Sequence, residues 1–301
     1  MIRSNKFIAR AAAVASTVAL TLSMTAVVST SSQAASGEVK SISKLVPTEI
    51  KKKGKFTSVG ANYAPAFIHN SDNTLTGWDV ETIREVAKIL GLKVTITDIA
   101  FAGVVPGVKA GRFDTAMGEI YVNPDRLKQV NFVTTHKSGD VLMVPAASSL
   151  KSAKAATDLC GLNLAATTGS AEAAAIQLII DACKSAGKPE TKLTSFATAP
   201  EMMLALEQAR VDGSINSASQ GAYTVKTDLK DGKAKYKVID LPFRPSYDVG
   251  IAVAKTKTGV QFAKAIQAAV NYMIKNGKLK ALNDKFNEGN GMIAKSVILT
   301  K

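Results

Sequence analysis

Twice along the chain, short apolar stretches of strand length alternate with amphipathic stretches of helix length. The first series predicts strands and helices in the order strand 56–63, helix 79–90 with Asp79 as its N-cap, strand 94–99, helix 104–110 and strand 114–118. Strands and helices in this order predict a mostly parallel sheet with helices packed against it.

A second series of the same kind follows the Pro-Ala-Ala-Ser-Ser stretch at 145–149, which has the composition of a linker. Its predicted elements, with those that flank it, are strands at 141–144, 162–167, 193–196, 212–216, 235–239 and 248–254, and helices at 171–186, 200–209, 219–226, 260–275 and 279–286. The sequence therefore predicts an α/β protein of two lobes, joined by extended crossings, with a ligand cleft between them.

The N-terminus has the pattern of a secretory signal. Basic residues precede an apolar, Ala-rich run, and small residues follow at Ser32–Ala34, so we expect residues 1–34 to be a signal peptide cleaved after Ala34 or Ala35. A retained membrane anchor is the alternative, but the run is rich in Ala, Ser and Thr. Cys160 is the first cysteine, so no N-terminal lipid-anchor cysteine is expected. The mature protein should be soluble and periplasmic or secreted, with residues 35–52 forming an N-terminal tail.

Composition argues against several classes of function. The formal net charge is +14, but the lysines are scattered and not interleaved with aromatic residues, so no nucleic-acid partner is expected. Neither a His-Glu-x-x-His nor a Gly-x-Ser-x-Gly motif occurs, and the stretch 289–296 fails the phosphate-loop pattern because residue 294 is Ala. We therefore expect no metal, no cofactor and no catalytic residues.

The chain has two cysteines, Cys160 and Cys183. In an exported protein they are expected to form a disulfide, which would contribute roughly 3 kcal/mol by restricting the unfolded chain. A redox pair is the alternative, but no Cys-x-x-Cys motif supports it.

The stretch 114–126 predicts a binding site for an anion. Asn123 is suited to a helix N-cap and Pro124 to the first helical position, which puts Arg126 in the first turn, near the C-terminal end of a strand. Ligands of open α/β sheets bind at that end, and a guanidinium matches a carboxylate. Without further context, pairing of Arg126 with a surface acid is the more ordinary interpretation.

Taken in order, the segments resemble the bacterial extracellular solute-binding proteins of ABC importers, in the polar-amino-acid branch. The resemblance covers residues 55–287 and depends on the segments 59–67, 75–80, 101–114, 123–126, 158–161, 168–172, 209–212 and 247–253. It implies a Venus-flytrap fold, with lobe 1 formed by 53–144 plus 247–301 and lobe 2 by 145–246. It also implies a protein, acting as a monomer, that closes on a small carboxylate-bearing ligand such as an amino acid and docks on a membrane ABC permease.

The resemblance assigns ligand contacts to individual residues. Arg126 matches the arginine that holds the ligand α-carboxylate, and Ser170, with the backbone at Ala171, matches the helix start that reaches the same group. Tyr63 and Phe101 match aromatic positions of the cleft, although Phe101 and Phe67 could instead be core residues.

Ser217 departs from the family pattern, which has at this position an aspartate for the ligand α-ammonium. Glu119, next to Gly118 where the family has small residues, is the candidate replacement, and Tyr121 is a further difference. Glu119 could bind a ligand cation, pair with Arg126 or point to solvent. We therefore hypothesise a ligand with a carboxylate and a cationic nitrogen that is placed differently from that of an ordinary α-amino acid.

The same scaffold is compatible with two other functions. Exported dehydratases acting on cyclic dienyl carboxylates resemble this family, and Glu119 could then serve as a general acid. A sensor that reports its ligand to a membrane receptor would use the same closed state.

Overall fold

The computed structural model describes residues 37–286 and 291–301. The predicted signal peptide and its cleavage site lie outside the described residues. Within the described part, no helix is both long enough and apolar enough to cross a membrane.

The helices and strands follow one another as two α/β series. The α-helices are α1 (Lys40–Ser43), α2 (Thr48–Lys53), α3 (Trp78–Ile89), α4 (Val104–Lys109), α5 (Pro124–Leu127), α6 (Ala171–Ser185), α7 (Ala199–Glu207), α8 (Ala218–Thr227), α9 (Lys257–Lys275) and α10 (Lys278–Phe286). The strands are β1 (Lys55–Gly60), β2 (Ile68–His69), β3 (Leu75–Thr76), β4 (Lys93–Asp98), β5 (Thr115–Ala116), β6 (Val130–Pro145), β7 (Asn163–Thr167), β8 (Lys192–Phe196), β9 (Gly213–Ser217), β10 (Leu229–Lys230), β11 (Lys233–Ala234), β12 (Tyr236–Asp240), β13 (Ser246–Ala254) and β14 (Ile298–Leu299).

The long strand β6 joins two halves of one sheet, whose strand order is β4-β1-β5-β13-β6-β9-β7-β8. Val130–Gly139 of β6 pairs antiparallel with β13, whereas Asp140 onwards pairs with β9 and β12. The β1–β4 and β7–β8 pairs are parallel, as the alternation of strands and helices predicts. The lobe boundaries expected at 144/145 and 246/247 stay a prediction. The point where β6 changes its pairing from β13 to β9, between Gly139 and Asp140, lies within a few residues of the 144/145 boundary.

Each half of the sheet has its own hydrophobic core. Around β1 and β13 the core includes Phe56 and Phe262, whose rings meet edge to face at 5.1 Å between centroids. Around β7 the core includes Leu164 and Ile176 on α6. The apolar side chains of each half are therefore buried in separate clusters.

The predicted disulfide is confirmed. Cys160 and Cys183 are bonded, with Cα atoms 5.5 Å apart, and Cys183 lies near the end of α6. The bridge ties that helix to the segment that precedes β7.

Two predictions of local structure are wrong. Asp79 does not cap α3, which begins at Trp78. Its buried carboxylate instead accepts hydrogen bonds from the backbone of Gly118 and Glu119, because those donors lie in a loop with no strand partner. The sequence also predicted only 141–144 of β6; its preceding residues carry many polar side chains, which β13 and β14 nevertheless bury on pairing with the strand. The short helices α1 and α2 were not predicted either.

Candidate functional site

A cavity of ≈ 390 Å³ lies between the two halves of the sheet. The sequence-predicted residues in its wall are Tyr63, Phe101, Gly118, Glu119 and Ser170. Four other predicted residues, Arg126, Ala171, Tyr121 and Ser217, are not in that wall, and the contacts of three of them are described below.

Arg126 lies behind the cavity on α5. Asn123 caps this helix as predicted, its side chain accepting a hydrogen bond from the Arg126 backbone N–H at 2.9 Å. The guanidinium donates from Nη1 to the Tyr121 carbonyl at 2.7 Å and from Nη2 to the Gly169 carbonyl at 3.3 Å. It also lies over the Phe101 ring, 5.2 Å from its centroid.

The burial of Arg126 contradicts the alternative in which it pairs with a surface acid, since the side chain is only 7% exposed. Burial lowers the pKa of Arg126, and the nearby Glu172 carboxylate opposes that shift. The Gly169 contact brings the cation from the first half of the sheet to the backbone just before α6.

The N-terminus of α6 forms the opposite wall. Ser170 caps the helix by accepting a hydrogen bond from the Ala173 backbone N–H at 3.1 Å. Glu172 in the first turn also lines the cavity. Sequence reasoning missed it, because an acid at this position ordinarily complements the helix dipole. Burial, reinforced by the charge of Asp140, raises the pKa of Glu172 to about 7.

Glu119 lies in the other wall with a left-handed backbone, φ 54°, which is uncommon for a residue other than glycine. Its Oε2 is 3.1 Å from Nε2 of His136, and its Oε1 accepts a hydrogen bond from the Ser219 hydroxyl at 3.1 Å. Burial acts to raise the pKa of Glu119, but His136 and these hydrogen bonds outweigh it and hold the pKa below its ordinary value. Glu119 therefore neither pairs with Arg126 nor points to solvent, so two of its three expected roles are wrong.

The Asp79 carboxylate holds the backbone of Glu119 in place. Asp79 Oδ2 accepts from the Glu119 backbone N–H at 2.7 Å, and burial raises the Asp79 pKa to about 6 against the opposing effect of His136. The His136 ring in turn meets Trp78 edge to face, with ring centroids 4.5 Å apart. The loop that carries Glu119 is therefore fixed by a buried group of two carboxylates and one imidazole.

Direct contacts cross the cleft beside these carboxylates. The Tyr63 hydroxyl accepts a hydrogen bond from the Ser217 backbone N–H at 2.7 Å. The Ser217 hydroxyl lies 3.0 Å from the Ser219 hydroxyl, which donates to Glu119. Ser217 is thus connected to the cavity through Ser219 and Glu119.

Tyr121 connects Arg126 to the extended crossings. Its hydroxyl donates to the Gly139 carbonyl at 3.0 Å, and its ring stacks on Tyr247 with centroids 4.7 Å apart. The Tyr247 hydroxyl accepts from Arg244, which is paired with Asp140 at 2.9 Å. The site and the strands that join the halves therefore share one network of contacts.

The family model for bacterial extracellular solute-binding proteins, family 3, matches residues 57–289. The chain belongs to this family. A probable amino-acid ABC transporter-binding protein of Haemophilus influenzae is 35% identical over 136 residues, a match that spans 43% of this chain and 52% of that protein.

Other known proteins match over more of the chain, in sequence or in structure. An ABC transporter arginine-binding protein of Escherichia coli is 22% identical over 228 residues, covering 76% of this chain and 88% of that protein. The crystal structure of an ancestral amino acid-binding protein, described as a precursor of cyclohexadienyl dehydratase, superposes with a TM-score of 0.69 at 21% identity, over 79% of this chain and 97% of that one. The chain thus has the two-lobed fold of periplasmic binding proteins.

Proposed function

We propose that this protein is the exported substrate-binding component of an ABC transporter, which captures an amino acid or a related small carboxylate in the cleft and delivers it to a membrane permease. The observation that carries the proposal is the cavity between the two lobes, whose walls meet through contacts of Glu119, Tyr63 and Arg126 with the opposite side. A cavity of ≈ 390 Å³ is in the range of small-molecule sites.

The ligand carboxylate would bind between Arg126 and the N-terminus of α6. The Nη2 group now donates to the Gly169 carbonyl at 3.3 Å, a long contact that a carboxylate could replace with a shorter, charge-assisted bond. Ser170 and the backbone at Ala171 are next to that carbonyl, and the first turn of a helix favours an anion. Because Arg126 and α6 belong to different lobes, one carboxylate held by both would stabilise the closed form.

Catalysis is not part of the proposal. Glu119, the candidate general acid, has a lowered pKa and already accepts hydrogen bonds, so it would be ionised and unable to donate a proton. We also propose that residues 1–34 direct export and that the protein acts as a monomer, which size-exclusion chromatography with light scattering would test.

A thermal-shift screen against amino acids, opines, betaines and organic acids tests the function. A ligand at about 100 times its dissociation constant adds roughly 2.7 kcal/mol to the free energy of unfolding, which a melting curve resolves. A shift with an amino acid or a derivative is expected. Steady-state turnover of prephenate or arogenate would instead make the protein an enzyme, and a flat screen would contradict the proposal.

A further inference from the structure

The charged groups in the cavity wall are all acidic. Among the described residues that line the cavity, Asp98, Glu119 and Glu172 carry carboxylates and none is Lys or Arg. Asp98 is held by a hydrogen bond to His69 Nδ1 at 2.9 Å. Glu119 and Glu172 are the buried pair, 5% and 8% exposed, and they come from opposite lobes.

Glu119 and Glu172 both affect the pKa of the same two tyrosines, Tyr63 and Tyr121. Burial is the largest cause of the raised pKa of the Tyr63 and Tyr121 hydroxyls, and both carboxylates add to that shift. Both carboxylates also line the same cavity as Tyr63.

These two carboxylates differ in the partners that the protein provides for their negative charge. Glu119 is held by His136 and Ser219. Glu172 has hydrogen bonds with the backbone and with the Ser170 side chain, and the charge of Arg126 is nearby. The guanidinium of Arg126, however, donates to two backbone carbonyls. A buried carboxylate without a direct cationic partner costs free energy unless it is protonated or a cation arrives.

We propose that Glu172 and Glu119 hold a cationic group of the ligand from opposite sides of the cleft, so that the site selects amino acids or derivatives of net charge +1. This inference depends on the proposed function, since it assumes that the ligand binds in this cleft. This cationic group is the side-chain cation, which neutral amino acids lack, and not the α-ammonium that all of them carry. Glu119 would contribute one carboxylate to it and Glu172 a second one from the other lobe. The cation would then contribute to lobe closure together with the carboxylate.

Proton release is a second consequence. A ligand cation next to Glu172 favours its ionised form, so binding near neutral pH would expel a fraction of a proton from that carboxyl. Binding of a neutral ligand would lack this effect. The distinction separates direct contact with Glu172 from a general preference for positive charge.

Two ligand pairs of similar length test the charge: L-arginine against L-citrulline, and L-lysine against L-norleucine. Isothermal titration calorimetry should show the cationic member of at least one pair binding about ten-fold or more tightly. Glu172→Gln should reduce that ratio by about ten-fold, and Glu119→Gln should reduce it too, whereas Glu190→Gln, at an exposed acid of the same lobe, should not. Titrations in buffers of different ionisation enthalpy should show proton release in the wild type and not in Glu172→Gln.

Three results would overturn the inference: neutral members binding as tightly as cationic ones in both pairs, an unchanged ratio in Glu172→Gln, or no buffer dependence in the wild type. Glu119→Gln removes a buried contact with His136 and could impair folding, so the Glu172 variant and the buffer series decide the matter. If only neutral or acidic amino acids bind, this inference fails while the proposed function stands. If no amino acid binds, the proposed function itself fails.

Discussion

Replacement of Arg126 by lysine should weaken ligand binding while preserving the fold. The guanidinium reaches two places at once, with Nη1 on the Tyr121 carbonyl at 2.7 Å and Nη2 available for the ligand carboxylate in place of Gly169. A lysine ammonium keeps the charge but cannot reproduce this planar fork. One charge-assisted hydrogen bond should be lost, which is worth about 1.5–3 kcal/mol, or roughly 10- to 150-fold in the dissociation constant.

The assay is calorimetric titration with whichever amino acid the thermal-shift screen identifies. Arg84→Lys is the matched control, because Arg84 pairs with Glu81 on the exposed surface of α3 and should leave affinity unchanged. The ligand methyl ester supplies the second arm of a double-mutant cycle. It should bind the wild type poorly and should lose little further affinity in Arg126→Lys. Equal affinity of free acid and ester, or an Arg126→Lys variant that binds like the wild type, would refute the carboxylate assignment.

Three further predictions concern stability and are measured by urea denaturation of the ligand-free protein. Replacing both Cys160 and Cys183 by serine should lower the free energy of unfolding by about 3 kcal/mol, since the bridge spans a sequence separation of 23 residues; a loss below about 1 kcal/mol would contradict the loop-entropy estimate. Ala209→Gly should stabilise the protein by about 1 kcal/mol, because the alanine has a left-handed backbone, φ 54°, just after α7. The control Ala182→Gly, inside α6, should destabilise the protein by a similar amount. If both variants were destabilised equally, Ala209 would not be strained. Glu172→Gln should become more stable relative to the wild type as the pH rises from about 5 to about 8. The folded-state pKa of Glu172 is raised from 4.5 to about 7, so ionisation in this window costs the wild-type folded state on the order of 1–3 kcal/mol, and a stability difference independent of pH would refute this.

The sequence predicted the fold well because strand and helix periodicity are local. Helix α6, its Ser170 cap and the Asn123 cap of α5 all follow from short-range capping rules. Asp79 was assigned wrongly for the converse reason. An acid in the first turn of a helix reads as a cap, and only the folded chain brings the Gly118–Glu119 loop within reach of its carboxylate.

The site was predicted in part. Arg126 was identified from its helix and from the resemblance, but its contact with the Gly169 carbonyl depends on how two lobes meet, which no local pattern contains. His136 belongs to no recognisable sequence motif, and Glu172 looks like an ordinary acid of a first helical turn. Their importance appears only when the long-range contacts with Glu119 and the cavity wall are known.

The most direct test of the central claim is the stoichiometry of ligand binding to the mature protein. Calorimetric titration with the compounds that shift its melting curve should give one molecule bound per chain, and competition between any two active compounds should be complete because they share one cleft. Loss of that binding in Arg126→Ala, with the ligand-free melting curve still cooperative, would support the account. Tight binding that survives Arg126→Ala, or two compounds that bind together without competing, would contradict it.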